Sequence, residues 1–231
     1  MKKRRYFLIG FICLITSSQI LVAQELYQQY EPETTTRVRE AIEWSITYTY
    51  NSQDTELPRV LLIGDSICNA YQNSTKDHLY DKMNVSYWAS SKCVTDKDYF
   101  RELDFILSGY HYDIISFNNG LHSIGTNQQE WEKSYKNAIL FIQAKCPDAK
   151  LFLCNNSIVA SSESNQAACR MNKYVRKIAD ELSLPMIDMY SFLDKMDHEH
   201  LWSDGIHFQP EVISEQGKML SEIFLNAWEN R

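Results

Sequence analysis

From Pro58 onward the chain alternates apolar runs with amphipathic segments, and that alternation leaves few folds open to it. The runs are RVLLI (59–63), NVSYWA (84–89), YDIISF (112–117), AKLFLC (149–154) and LPMIDMY (184–190). Helical patterns fall near 67–81, 97–108, 128–145, 165–182 and 210–229. Strands separated by helices imply βαβ units and therefore a parallel sheet. Runs that are apolar at nearly every position, rather than at every second one, imply burial on both faces. The expectation is an α/β protein over residues 58–231: a five-stranded parallel sheet with helices on both faces, hence a three-layer α/β/α sandwich. Ligands bind such sheets beyond the carboxyl ends of the strands, so the polar residues just after each run are the candidate site.

The residues before 58 follow a different logic. MKKRRYFLIGFICLITSSQILVAQ has a basic start, an apolar stretch and small Ala23, the order of a secretory signal peptide over 1–23. An uncleaved anchor fits less well, because Thr16, Ser17, Ser18 and Gln19 interrupt an already short stretch. Lipidation at Cys13 is weaker still. The expectation is an exported protein, periplasmic or secreted, without stable membrane insertion after cleavage. Residues 24–57 read as a polar extension. Within it Val38, Ile42 and Ile46 share a helical stripe behind threonines able to cap, so a helix packed on the main domain is expected.

Cleavage would remove four positive charges and take the net charge from −7 to −11. So acidic a chain is a poor partner for nucleic acid or an anionic membrane. Five cysteines would remain, in no metal-binding spacing. Two readings stand open for them: a Cys68–Cys93 disulfide, or free thiols throughout.

After the first run comes Gly64-Asp65-Ser66. A serine at a helix N-terminus has unpaired backbone N–H groups and the helix dipole beside it, which suits a nucleophile that leaves an oxyanion. The same three residues also make a good helix cap. A nucleophilic serine needs a base, and the base needs a carboxylate to orient it. The segment WSDGIHFQPE supplies Asp204 and, three residues on, His207. It follows the fifth run, which puts it on the same sheet edge as Ser66.

With these two blocks in place, the sequence resembles the SGNH (GDSL-type) hydrolase family over about residues 58–229, whose fold is flavodoxin-like and three-layered. Gly64-Asp65-Ser66 matches the first block of that family, and Asp204 to His207 the last. The resemblance implies a serine esterase with Ser66 as nucleophile, His207 as base and Asp204 as its orienting carboxylate, working without metal or organic cofactor. The middle blocks depart from the family. Its glycine after the second strand is absent from WASSKCVTD, so the second backbone donor to the oxyanion, beside the Ser66 N–H, is expected at Ser91, Lys92 or Cys93. Its glycine-x-asparagine-aspartate aligns on Gly120 and puts His122 at the asparagine position. His122 is therefore the expected side-chain donor, with Asn118 in support. The rival is that Asn118 or Asn119 points inward and His122 borders the pocket.

Asp65, Asn119, Trp88 and Trp202 are further candidates for substrate contact. His78, His111, His198 and His200 read as solvated. His198-Glu199-His200 reads as an exposed acidic turn rather than a metal site, for want of a third ligand. Asp188 reads as structural support near the site. The entry to the first strand, NNGLH and DGIHF, together with a signal peptide, look most like the bacterial carbohydrate O-acetyl esterases of this family. The partner expected is thus an acylated carbohydrate or another small ester. The alternatives are a lipid or thioester hydrolase and a non-catalytic glycan-binding relative. Neither the sugar nor the oligomeric state is legible in the sequence.

Overall fold

Side chains alternate across a strand, so a strand buried at every position must be covered twice. The segment Arg59–Gly64 (β2) is such a strand. Its Leu61 and Ile63 enter one apolar core, its Val60 and Leu62 another. The computed structural model describes residues 25–231 except 36 and 38. The expected signal peptide and Val38 lie outside the described residues.

The elements follow in the order Ser45–Thr49 (β1), β2, Ser66–His78 (α1), Asn84–Ser90 (β3), Lys97–Leu107 (α2), Ile114–Phe117 (β4), Gln128–Lys145 (α3), Lys150–Cys154 (β5), Ser162–Leu182 (α4), Met186–Ile187 (β6), Met189–Asp194 (α5) and Pro210–Glu229 (α6). The sheet order is β1-β3-β2-β4-β5-β6. Strands β2 to β6 run parallel in the doubly wound arrangement. Helices α2, α3 and α4 cover one face through Phe100, Trp131, Tyr135 and Val175. Helices α1, α5 and α6 cover the other through Tyr71, Leu193, Leu220 and Phe224. This is the expected three-layer sandwich, and the five long helices fall within a few residues of their predicted spans.

Two expectations need correction. The sheet has six strands rather than five, and the extra one comes from the extension, where a helix was expected. Residues 45–49 pair antiparallel with β3, Ser45 opposite Ser90 and Thr49 opposite Ser86. The physical reason is the outer edge of β3, whose backbone groups would otherwise face solvent unpaired. SITYT is rich in β-branched and aromatic residues and fits that edge better than a helix. The apolar spacing of Ile42 and Ile46 misled because Ile42 is simply exposed.

Of the two readings open for the cysteines, the structure shows the free thiols. Cys68, Cys93, Cys146, Cys154 and Cys169 are all free thiols. Cys68 lies in the core under α1 and Cys93 in the core on the opposite face. The sheet separates them, so they cannot pair. Among the described residues no helix is long and apolar enough to cross a membrane.

Candidate active site

The turn that presents Ser66 is built by its neighbours. A Cβ on Gly64 would lie 2.6 Å from Cys68 Cβ, so the first turn of α1 closes over a position that only glycine fits. Asp65 caps the helix, its Oδ1 accepting from the Ile67 N–H at 3.0 Å. Ser66 is then the first residue of α1, where the N–H groups have no acceptor within the helix.

His207 arrives on the loop before α6. That loop is pinched by a bridge between Trp202 and Phe208 and by the Ser203 N–H donating to the His207 carbonyl at 2.8 Å. Gly205 turns it in the left-handed region, with φ of 90°. The Asp204 Oδ1 accepts from the N–H groups of Ile206 and His207, at 2.9 and 2.8 Å. Its Oδ2 lies 2.7 Å from His207 Nδ1, and His207 Nε2 lies 2.9 Å from Ser66 Oγ. The His207 ring, followed by the two backbone N–H groups, holds the Asp204 carboxyl well below the usual carboxylate range. A charged Asp204 takes a proton donated by Nδ1, which leaves Nε2 as the acceptor of the Ser66 hydroxyl. Chemically this is a base in contact with a hydroxyl and oriented by a carboxylate.

The expected oxyanion donors are placed differently. The Cys93 N–H donates to Asp96 Oδ2 at 2.9 Å, the Lys92 N–H to Ser90 Oγ at 3.1 Å and the Ser91 N–H to the Trp44 carbonyl at 3.1 Å. All three backbone donors are engaged within the protein, because the loop after β3 folds back on itself and on the extension. The Lys92 ammonium pairs with Asp98 and Glu102 instead of reaching the site. Asn118 Nδ2 donates to the Cys154 carbonyl at 3.0 Å and to Asn156 Oδ1 at 3.3 Å, which uses both its protons. Asn119 is buried between the loops, donating to the Lys92 carbonyl and accepting from the Val94 N–H.

Two other candidates are structural as well. Trp88 is 1% exposed, and its indole N–H donates to Ser45 Oγ, which ties β3 to β1. Asp65 is buried under the Gly64–Ser66 turn with its Oδ2 unpartnered. Burial pushes its carboxyl up, with His122 and the Ile67 N–H pulling the other way. Trp202 is half-buried on the Asp204–His207 loop, its N–H donating to the Ile158 carbonyl at 3.4 Å.

His122 sits in a short 3-10 turn after β4. Its Nδ1 lies 2.5 Å from Glu40 Oε1, and the Trp44 ring meets the imidazole edge-on at 5.8 Å. Both partners belong to the extension. His122 also borders a cavity of about 570 Å³, lined by Arg37, Glu40, Thr126, Asn127 and Glu130 among others. Asp197, Glu199 and His200 bring possible ligand atoms within 4.8 Å of one another, but all three are exposed, and Asp197 already bonds the Glu199 N–H and His200.

Two groups were missed in the sequence. One is the extension set Arg37, Glu40, Glu43 and Trp44, hidden by the helical reading of that segment. The other is the amide network behind the site. Asn156 exchanges hydrogen bonds with Asn172 and accepts from Asn118, while Asn155 donates to Asp188 Oδ1. Asp188 is thus structural support, as expected from its place. A Cβ on Gly120 would lie 1.7 Å from Asn156 Oδ1, so the turn before His122 needs glycine. The available signal was the doublet Asn155-Asn156 after β5, which repeats Asn118-Asn119 after β4.

No protein-family model matches the chain, and no curated protein resembles it in sequence. Solved structures do resemble it in fold. A GDSL-like lipase from Parabacteroides merdae superposes with a TM-score of 0.59 at 18% identity, over 71% of this chain and 94% of that one. A member of the lipolytic G-D-S-L family from Veillonella parvula gives 0.62 at 14%, over 72% and 98%. An acetylxylan esterase from Geobacillus stearothermophilus gives 0.57 at 16%, over 73% and 93%. The chain therefore has the fold of the GDSL-type hydrolases.

Proposed function

We propose that this chain is an exported serine esterase that removes acyl groups, O-acetyl above all, from a carbohydrate. The observation that carries the reading is the continuous chain of hydrogen bonds from Asp204 through His207 to Ser66, at 2.7 and 2.9 Å. As Ser66 attacks the ester carbonyl, His207 takes its proton and Asp204 stabilises the imidazolium that forms. The tetrahedral oxyanion lies at the N-terminus of α1, where the Ser66 N–H and the helix dipole favour negative charge. His207 then returns the proton to the leaving alcohol, and water releases the acyl group by the same route.

His122 is the side-chain donor to the oxyanion, since the neighbouring backbone and amide donors are engaged elsewhere. The cavity beside it offers a guanidinium, carboxylates, an amide and a hydroxyl, a lining that suits the hydroxyl groups of a sugar better than a long acyl chain. That weighs against the lipid-hydrolase alternative, although two fold neighbours carry lipolytic names. The basic and apolar residues 1–23 support export, where polysaccharide esters are met.

The test is acetate release from acetylated xylan or an acetylated oligosaccharide. The protein is expected to release acetate, and Ser66→Ala to abolish the release. Equal rates for the two would end the esterase reading. Faster hydrolysis of long-chain than of acetyl esters would favour the lipid reading.

A further inference from the structure

The extension does more at the site than supply an edge strand. Glu40 meets His122 on one side while Trp44 packs its ring edge-on against the same imidazole. The segment that carries them is itself fixed. The Glu40 N–H donates to Glu43 Oε1 at 2.8 Å, and Glu43 is held by Arg37 at 2.9 Å and by the Ser91 hydroxyl at 3.0 Å. Arg37 grips Asp96, with side-chain exposures of 4% and 0%, and Asp96 also takes the Cys93 N–H. The loops after β3 and β4 are therefore both pinned by one strap of the extension.

We propose that Glu40 is a positioning residue, which holds His122 so that its Nε2–H is left for the oxyanion. This rests on the esterase reading above. The chemistry of the ring sets the condition. A neutral imidazole that donates from Nδ1 to Glu40 has only a lone pair at Nε2 and cannot stabilise an oxyanion. His122 donates at both nitrogens only when doubly protonated, and a carboxylate against Nδ1 is the arrangement that serves this form. The other titratable groups about the ring are Asp65, buried in the turn before Ser66, and Arg37 and Glu130 along the cavity. Aligned on Gly120, His122 takes the position at which the resembled family has an asparagine. The chain thus reaches a comparable donor with a charged pair drawn partly from outside the main domain.

The experiment is a double-mutant cycle on kcat and KM for 4-nitrophenyl acetate with Glu40→Ala, His122→Ala and the double variant, and with His122→Asn beside it. Loss of one oxyanion donor is expected to lower kcat about 100-fold in His122→Ala, with KM little moved. Glu40→Ala is expected to lower kcat about tenfold, and to cost nothing further once His122 is gone. His122→Asn, whose amide donates without needing a partner for a second ring nitrogen, is expected to recover part of the kcat lost in His122→Ala. Additive losses in the double variant would overturn the proposal. The nitrogen-15 spectrum of the His122 ring provides a reading independent of catalysis. An unchanged ring spectrum in Glu40→Ala overturns the pairing, whereas absence of ester hydrolysis beside a changed ring spectrum overturns the esterase reading alone.

Discussion

Gly217 of α6 lies against Ser74 of α1 so closely that a Cβ at position 217 would sit 2.3 Å from Ser74 Oγ and 2.7 Å from the Thr75 backbone nitrogen. The two helices are further joined by the Ser74 hydroxyl donating to the Ser214 carbonyl at 3.1 Å and the Ser221 hydroxyl to the Thr75 carbonyl at 3.2 Å. Helix α1 begins at Ser66, and α6 begins three residues after His207. The close contact between the helices thus sets how near the base comes to the hydroxyl.

Gly217→Ala should therefore destabilise the protein, although alanine is the better helix former. Overpacking of this kind costs about 1–3 kcal/mol, against about 1 kcal/mol of helix propensity gained. The net loss is read by urea or thermal unfolding. Because the strain separates α1 from α6, kcat should fall as well. An unchanged Tm would show that the interface yields without cost.

Asp204→Asn tests the orienting role of the carboxylate. The amide retains an oxygen for the backbone N–H groups of Ile206 and His207, so the loop should keep its shape. An Nδ2 donor opposite His207 would favour the tautomer with its proton on Nε2, which cannot accept from Ser66. A loss in kcat on the order of 10⁴-fold is expected at neutral pH. Circular dichroism and a melting curve like those of the unmodified protein would separate this from unfolding.

Asp65→Asn should stabilise the fold, in a pH-dependent way. Burial raises the Asp65 carboxyl in the folded state above its unfolded value. The native state then holds a proton that the unfolded chain has released, so native stability declines as pH rises from the unfolded value through the raised one. Asparagine keeps the cap on the Ile67 N–H and has no charge to bury. Its stabilising effect should be largest at neutral pH and vanish near pH 3. A melting-temperature difference independent of pH would contradict the assignment.

Arg37→Ala should cost about 3 kcal/mol, because Asp96 would be left buried without its partner. The damage should spread to the site, since Asp96 also holds the Cys93 N–H and Glu43 steadies Glu40. Denaturant unfolding gives the first effect. Loss of ester hydrolysis beyond the unfolded fraction gives the second.

Much of the main domain was readable because burial on two sides leaves a local trace. A strand such as VLLI is apolar at every position wherever the rest of the chain goes, and the five long helices carry their own periodicity. The Gly64-Asp65-Ser66 turn was readable for a similar reason: cap, close approach and hydroxyl are three neighbouring residues. Asp204 and His207 lie within one loop, so their contact is local too.

The sequence by itself thus determined the layered parallel sheet, the helix spans and the placing of Ser66, Asp204 and His207 at one sheet edge. Only the tertiary structure decided what meets whom across long separations. The pairing of residues 45–49 with β3, the reach of Glu40 to His122 over 82 residues, and the grip of Arg37 on Asp96 have no local signature. In each case the deciding term is a group elsewhere in the chain that would otherwise be left unpaired: the open edge of β3, or the buried carboxylate of Asp96. The apolar spacing of Val38, Ile42 and Ile46 pointed to a helix in the extension, and the unsatisfied edge of the sheet prevailed over it. Whether an N–H such as that of Cys93 is free for an oxyanion likewise depends on where Asp96 and the extension come to rest.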